Sequence, residues 1–329
     1  MHEIKLETIE KQEIDINGPF IFGNISEQAT RREYKEEADI ATDLTMVIRY
    51  YAGESGLVFI IKEYDAQQEA NVIRYKIKTN AYEQMHIIRL WDEGKKNIIV
   101  QDIFKKYSGQ YFVEGVRFNS DNPNVFNVFQ GYKNEKLEQV DELKIDKFIN
   151  DLTYGTVAGG NQEVFEYILN WIAFIAQNAE QKTRTAIILQ GLQRIGKNRF
   201  ADVIAEMFSR YSQPNISTID EFTGKLNSVV ENVMFAVLNE MMNYNESKKC
   251  TVQVMKMIVN DQTIGINEKN QPRRRAENVI NTIMVTNNYF PIQLDNCDGR
   301  YLVVKCKAVH RGDHEDISKF DPTDTLYFE

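Results

Sequence analysis

The strongest chemical signal in the sequence is a loop of the kind that binds phosphate groups. Gly191 and Gly196 flank four residues, and Lys197 follows directly. Glycines let such a loop curl so that its backbone N–H groups face phosphate oxygens, and the lysine supplies a cation for the β and γ phosphates. The spacing alone arises by chance in roughly one chain in ten of this length, so its context must decide. The predicted ATP-binding residues are Gly191, Gln193, Arg194, Gly196, Lys197 and Asn198.

Polar residues follow two apolar segments further along the chain and could complete an ATPase site. Asn239 and Glu240 end the first segment, and Glu240 is the candidate base that orients the attacking water. Asn287 ends the second and could contact the γ phosphate or the water, with Asn288 as the second choice. The alternatives are a surface charge at a strand end for Glu240 and an ordinary asparagine-rich turn for Asn287.

Two amides occupy positions that usually serve Mg²⁺ in phosphate-loop ATPases. Asn198 stands where a serine or threonine usually binds the ion, and Asn239 stands where an aspartate usually holds it through water. An amide oxygen can coordinate Mg²⁺ directly or through water, but more weakly than a carboxylate. The sequence therefore predicts a Mg²⁺ site with altered ligands at Asn198 and Asn239.

An arginine precedes the last apolar segment of the predicted core. Arg300 follows Asp298 and Gly299. In one interpretation it reaches across a subunit interface to a neighbour's γ phosphate and stabilises transition-state charge. In the other it is a turn arginine paired with Asp298, and the residues alone favour neither.

A basic hairpin is predicted between the acidic pair and Asn287. Two strand-like arms flank a turn at Asn270–Pro272, and four cations crowd its tip. Such a cluster in an acidic protein suggests contact with the phosphates of single-stranded DNA, and the alternative is a solvated loop. The cations are Lys269, Arg273, Arg274 and Arg275.

Apolar periodicity predicts the elements that would position these residues. A wide apolar stripe from Gln162 onward indicates a helix that Asn161 can cap. Beyond Thr185 strands and helices alternate, which is typical of a parallel sheet with flanking helices. The predicted core strands are Ala186–Gln190, Met234–Leu238, Thr282–Val285 and Tyr301–Val304.

The first part of the chain has a different pattern. Leu57–Ile61 and Val72–Lys78 are strand-like, and the second places Arg74, Lys76 and Lys78 on one face. We interpret that face as the solvated side of an edge strand rather than a phosphate contact. The predicted organisation is a small α+β domain at 1–118, a linker and helical collar-like segment at 119–184, an ATPase domain at 185–310 and a tail at 311–329.

Composition limits the classes of protein that need be considered. The 329 residues are 43% hydrophobic and carry a net charge of −9, which argues against a binder that is basic all over. No apolar stretch approaches the ~20 residues of a membrane span, so we expect a cytoplasmic protein without membrane contact. Cys250, Cys297 and Cys306 lie too far apart for a zinc knuckle. His310 and His314 could suggest a metal pair, although a polar loop is the simpler interpretation.

Taken in order, these motifs resemble those of superfamily 3 helicases. The resemblance covers roughly residues 115–310 and is closest to the poxvirus primase-helicase and phage primase-polymerase branch, including the helicase-like C-terminal region of such phage proteins. It implies an AAA+-like core, a hexameric ring, ATP with Mg²⁺ and movement along single-stranded DNA. It also implies a primase or polymerase module, as a partner or on the same chain, and favours Arg300 as an arginine finger. Asn198, Asn239 and Gly299 depart from the family pattern.

Two other functions remain open from the sequence. One is a catalytically weak ring that acts as a clamp or scaffold for a polymerase module on DNA. The other is a small-molecule kinase, which would need an acceptor pocket but would not need the basic hairpin at Arg273–Arg275.

Overall fold

The computed structural model describes residues 36–54, 56–65, 70–87, 89–92, 96–132, 140–218, 220–239, 248–271, 273–287 and 298–309. The chain divides into two compact units, one of Met1–Tyr51 with Leu57–Phe112 and one of Ala52–Gly56 with Val113–Glu329. The first unit therefore ends near the boundary expected at 118, while the divisions expected at 184 and 310 stay predictions. Among the described residues, no helix has the length and apolar character that a membrane crossing requires.

The first unit is a small α+β domain built around a three-stranded sheet in the order β1-β2-β3. Its elements are α1 (Glu37–Leu44), β1 (Ile48–Gly53), β2 (Gly56–Asp65), β3 (Ala70–Ile77), α2 (Lys78–Ile87), β4 (Arg89–Asp92), β5 (Lys96–Ile99), α3 (Val100–Lys106) and a 3-10 turn (Ser108–Tyr111). Both strands expected here are present. On the basic face of β3, Lys76 donates to Glu63 at 2.5 Å and to Gln84 at 2.7 Å, which supports the solvated-face interpretation.

The second unit opens with short elements and a long helix. These elements are β6 (Val116–Arg117), β7 (Phe126–Asn127), α4 (Glu142–Asp146), a π-helical segment (Lys147–Val157) and α5 (Gln162–Gln177). The expected cap of α5 is present, because the Asn161 side chain accepts a hydrogen bond from the Val164 N–H at 3.1 Å. The apolar stripe of α5 is buried at Ile168, Trp171 and Ile175.

A five-stranded parallel sheet forms the core of the second unit. In chain order its strands are β8 (Ala186–Gln190), β9 (Ser212–Ile216), β10 (Phe235–Asn239), β13 (Asn281–Thr286) and β14 (Tyr301–Lys305), and in space they run β14-β8-β13-β10-β9. The central strands are buried over their length, as their continuous apolar runs predict. Four of the five strands match the expected ones. The fifth, β9, was not expected.

Helices and a hairpin complete the second unit. They are α6 (Lys197–Met207), a 3-10 turn (Ser209–Tyr211), α7 (Asp220–Thr223), a 3-10 turn (Ser228–Val230) and α8 (Lys248–Asn260), followed by β11 (Thr263–Ile266) and β12 (Arg274–Glu277). β11 and β12 pair antiparallel, with Ile266 opposite Arg274. The predicted hairpin is therefore present.

Candidate functional site

The glycine-flanked loop joins β8 to α6 at the carboxyl edge of the parallel sheet. A side chain at Gly191 would place its Cβ 2.8 Å from the Ile195 side chain and 3.2 Å from the Cys306 carbonyl oxygen. Gly196 has φ +93, and a Cβ there would lie 2.7 Å from the Leu152 side chain. Both positions thus favour glycine, Gly191 because of close packing and Gly196 because its positive φ is also strained for other residues.

Lys197 lies inside this loop and not in solvent. Only 4% of the surface of Lys197 is exposed to solvent. Its Nζ donates to the Gly191 carbonyl at 3.0 Å, the Leu192 carbonyl at 2.5 Å and the Asn287 Oδ1 at 3.0 Å. All three acceptors are neutral oxygens. Because β8 and β13 are neighbours in the sheet, the structure brings the predicted lysine and the predicted sensor into direct contact.

Asn239 ends β10 at the same edge of the sheet. Its Nδ2 donates to the Asn215 Oδ1 at 3.0 Å, which fixes the orientation of the amide. Its Oδ1 is buried without a hydrogen-bond partner among the described residues. A buried carbonyl oxygen with no donor is costly unless an ion or water satisfies it. This oxygen therefore fits the predicted role of Asn239 towards Mg²⁺, and exposed Asn198 in the first turn of α6 is free to approach a bound ion.

Three residues that the sequence did not single out adjoin the loop or contact Asn239. Leu152 comes from the π-helical segment, Asn215 from β9 and Cys306 from the end of β14. Burial raises the pKa of the Cys306 thiol to about 12, while the charge of Lys197 opposes that shift. The thiol is therefore protonated at neutral pH and is not a nucleophile. No sequence motif identifies these residues as neighbours of the site, because only the fold brings them close to it.

Arg300 lies at the opposite edge of the sheet from the loop. Its carbonyl accepts a hydrogen bond from the Ala186 N–H at 2.8 Å, where β8 begins. A five-residue strand at ~3.3 Å per residue places it about 16 Å from the end of β8. The guanidinium donates to both oxygens of Asp298 at 2.6 Å, and this hydrogen bonding lowers the pKa of Asp298. The turn pairing considered from the sequence is thus present, and the loop of the same chain is out of reach of Arg300.

The four predicted DNA-contacting cations do not share one environment. Lys269, Arg273 and Arg275 are exposed, whereas Arg274 is buried. Arg274 donates to Glu231 at 2.7 and 2.5 Å and to Glu268 at 2.6 Å. The expectation that Arg274 contacts phosphate therefore does not fit its position, because its guanidinium is committed to two carboxylates inside the protein.

Some predicted site residues lie outside the part of the chain that the structure describes. They are the candidate base Glu240, the second-choice sensor Asn288, Pro272 of the hairpin turn, and His310 and His314. Their roles stay predictions made from the sequence.

Comparison with known proteins places the chain beside a phage replication protein. A family model described as a family of unknown function, DUF5906, matches residues 189–300. A protein named DNA primase-polymerase from Nitratiruptor phage NrS-1 is 25% identical over 231 residues, covering 69% of this chain and 30% of that protein. The chain thus spans less than a third of the length of that relative.

Solved structures of the C-terminal region of NrS-1 share the fold. One apo structure of that region is 20% identical, with a TM-score of 0.57, over 81% of this chain and 60% of that one. A second, called the A form, is 19% identical with a TM-score of 0.57, over 82% and 61% respectively. The mixed α/β architecture with its five-stranded parallel sheet is therefore similar to that of the NrS-1 C-terminal region.

Proposed function

We propose that this chain is an ATP-dependent, ring-forming motor of phage DNA replication, related to superfamily 3 helicases, that moves on single-stranded DNA. The observation that carries the proposal is the contact between Lys197 and Asn287 beside a loop in which Gly191 is closely packed and Gly196 has a positive φ. A desolvated cation beside a polar amide, at the start of a helix, is an arrangement suited to the terminal phosphates of ATP.

The strand order supports an AAA+-like core. The strand that carries the loop, β8, lies between β14 and β13, and β13 separates it from β10. The candidate sensor Asn287 is therefore adjacent to Lys197, while Asn239 stands one strand further along the same edge.

The proposed roles follow from position. Lys197 binds the β and γ phosphates, Glu240 orients the attacking water, and Asn287 contacts the γ phosphate or that water. Asn198 and Asn239 are the residues that would hold Mg²⁺. When bound, Mg²⁺ neutralises phosphate charge and stabilises the leaving group.

Arg300 is assigned to the ATP site of a neighbouring subunit. It cannot serve its own loop, since the length of a strand separates the two. A closed ring of identical chains presents one edge of each subunit to the opposite edge of the next. Arg300 would exchange its bond to Asp298 for the γ phosphate of the neighbour.

The hairpin is proposed as the DNA contact through Lys269, Arg273 and Arg275. These exposed cations suit phosphate oxygens and would not read base sequence. A role in phage DNA replication beside a primase or polymerase module is supported by the name of the NrS-1 relative.

A second candidate function is a catalytically weak hexameric clamp or scaffold attached to a primase-polymerase. It is favoured by one observation, which is that the residue at the end of β10 is the neutral Asn239. A neutral amide retains Mg²⁺ less well than a carboxylate does.

Steady-state ATP hydrolysis with and without single-stranded DNA separates the two functions. The motor predicts turnover that DNA stimulates, whereas the clamp predicts DNA binding with little turnover. Lys197→Ala is the matched control, and it should abolish nucleotide binding in equilibrium titration because it removes the cation of the loop. ATP affinity like that of the wild type in Lys197→Ala would refute the site assignment itself.

A further inference from the structure

The middle arginine of the basic hairpin is directed into the protein, unlike the cations on either side of it. Successive side chains on a strand point to opposite faces. Arg274, the first residue of β12, is therefore buried, whereas Arg275 is exposed. Arg273 is also exposed, and its guanidinium lies along Gly265 of β11, where a Cβ would be 3.5 Å from Nη2.

The partners of Arg274 come from two places in the chain. Glu268 belongs to the hairpin itself, at its turn, whereas Glu231 precedes β10. The side chains of Arg274 and Glu231 are 2% and 7% exposed, and that of Glu268 is 33% exposed. Burial raises the pKa of the Glu231 carboxyl even though Arg274 donates hydrogen bonds to it. The triad of Arg274, Glu231 and Glu268 thus ties the hairpin turn to the segment that leads into the core.

Further bonds hold the base of the hairpin to the same body. Asn227 donates from Nδ2 to the Gly265 carbonyl at 2.9 Å and accepts from the Asn267 N–H at 2.8 Å. Glu277 accepts from the Arg117 side chain at 2.5 Å and from the Phe118 N–H at 2.7 Å. The base would therefore stay attached without the triad, but Arg274 and Glu268 are the contacts that restrain the turn.

We propose that Arg274 is a positioning residue for nucleic acid, which orders the hairpin turn through Glu231 and Glu268 so that Lys269, Arg273 and Arg275 face the phosphates together. This inference rests on the proposed DNA contact of the hairpin. Pre-ordered side chains lose less conformational entropy on binding than mobile ones do. Loss of the triad lowers affinity although no phosphate contact is removed.

The decisive comparison uses two substitutions at one position. Lysine keeps the charge of Arg274 but cannot reproduce its forked, bidentate contacts. A positioning role predicts that Arg274→Lys and Arg274→Ala both weaken binding of a single-stranded oligonucleotide. The expected loss of affinity is about tenfold, because two or three cations are no longer ordered before binding. A direct phosphate contact predicts that Arg274→Lys binds like the wild type, and that result would overturn the inference.

A second variant separates loss of order at the turn from loss of the fold. Glu231→Leu with Arg274→Met replaces the buried ion pair by apolar side chains, which often preserves a fold that breaking the pair would damage. Because Arg274→Met also loses the contact with Glu268, the double variant should fold and still bind the oligonucleotide as weakly as Arg274→Ala. Wild-type affinity in the double variant would contradict the inference. Hydrogen exchange at residues 263–277 should rise in Arg274→Ala and in the double variant.

Two controls keep the outcomes separate. Arg273→Ala and Arg275→Ala should each flatten the log–log salt dependence of binding, by up to about 0.7 per lost contact. If neither variant affects binding, the proposed DNA contact fails and not only the positioning role. Should Arg274→Ala fail to fold, Glu268→Gln removes only the partner in the hairpin and should still weaken binding, whereas unchanged affinity would count against the inference.

Discussion

At the scale of single residues, the strength of the proposed ATPase is expected to depend on two amides, Asn198 and Asn239. Asn198→Thr combined with Asn239→Asp should lower the Mg²⁺ concentration that supports half-maximal turnover by at least about tenfold. The physical reason is that Asn239→Asp adds a negative oxygen where a neutral one now stands. The measurements are steady-state ATP hydrolysis and nucleotide affinity, both titrated against Mg²⁺.

Asn215 bears on the outcome of this experiment. Its Oδ1 accepts a hydrogen bond from the Asn239 amide. The carboxylate in Asn239→Asp cannot donate, so the Asn215 amide must rotate to donate to it instead. Adding Asn215→Ala to the double variant should therefore change Mg²⁺ affinity little. Adding Glu240→Gln should silence turnover. A wild type that already saturates at low Mg²⁺ with brisk turnover would show that the amides are competent ligands.

At the residue scale, the sequence indicates position where chemistry and local spacing determine it. Gly191, Gly196 and Lys197 lie together in one loop, and Asn287 contacts Lys197, while their roles towards ATP stay predictions. The sequence did not indicate the burial of Arg274, because four neighbouring cations look equivalent until strand alternation and a carboxylate distant in the chain distinguish them. No local pattern identifies Glu231 as the partner of Arg274, since the two are brought together only by the fold.

At the scale of elements, the prediction of strands was limited by burial. Strands β8, β10, β13 and β14 carry apolar runs and were expected. Strand β9 has the sequence Ser-Gln-Pro-Asn-Ile and lies at one end of the sheet. Proline is tolerated in an edge strand because one side of such a strand needs no hydrogen bonds within the sheet. A polar edge strand lacks the periodicity on which prediction depends. The π-helical turns of Lys147–Val157 have no sequence signal either.

A lysine with a shifted pKa contacts the end of helix α8. Lys182 donates from Nζ to the Ile258 carbonyl and, at 3.1 Å, to the Asp261 carbonyl. Burial lowers the pKa of Lys182 to about 8 from an ordinary value of 10.5. Between these two values the unfolded chain keeps a proton that the folded chain has released. The contribution of Lys182 to stability therefore rises with pH across this window.

Lys182→Met should remove that rise. Between pH 8 and pH 10.5, we expect the free energy of unfolding to rise by on the order of 1–2 kcal/mol more in the wild type than in Lys182→Met, after allowing for solvent screening. Urea unfolding of both proteins at several pH values measures this difference. The contributions of the other titrating groups cancel because both proteins share them. Lys182→Arg is the control that stays charged throughout. A difference that stays flat with pH would show that Lys182 has its ordinary pKa in the folded chain.

At the scale of the whole molecule, Arg300 and Lys197 are predicted to act together only across a subunit interface. Arg300→Ala alone and Glu240→Gln alone should each abolish turnover while leaving ATP binding largely intact. Rings mixed from equal amounts of the two should regain up to about a quarter of wild-type turnover, since half of the loops and half of the arginines are intact.

The control for mixing is a chain that carries both substitutions. That chain should stay inactive when mixed with either single variant. If the two single variants regain nothing in rings shown to contain both, Arg300 does not act across the interface.

The placement of Arg300 one strand length from the loop also has a kinetic consequence. If Arg300 completes the site of a neighbouring chain as proposed, a lone chain contains no complete site however tightly it binds ATP. Turnover per chain would then depend on protein concentration, and it would fall on dilution more steeply than nucleotide binding does. On this proposal ATP consumption would be a measure of assembly, and a chain that has not yet joined its neighbours on DNA would leave the ATP supply of the cell untouched.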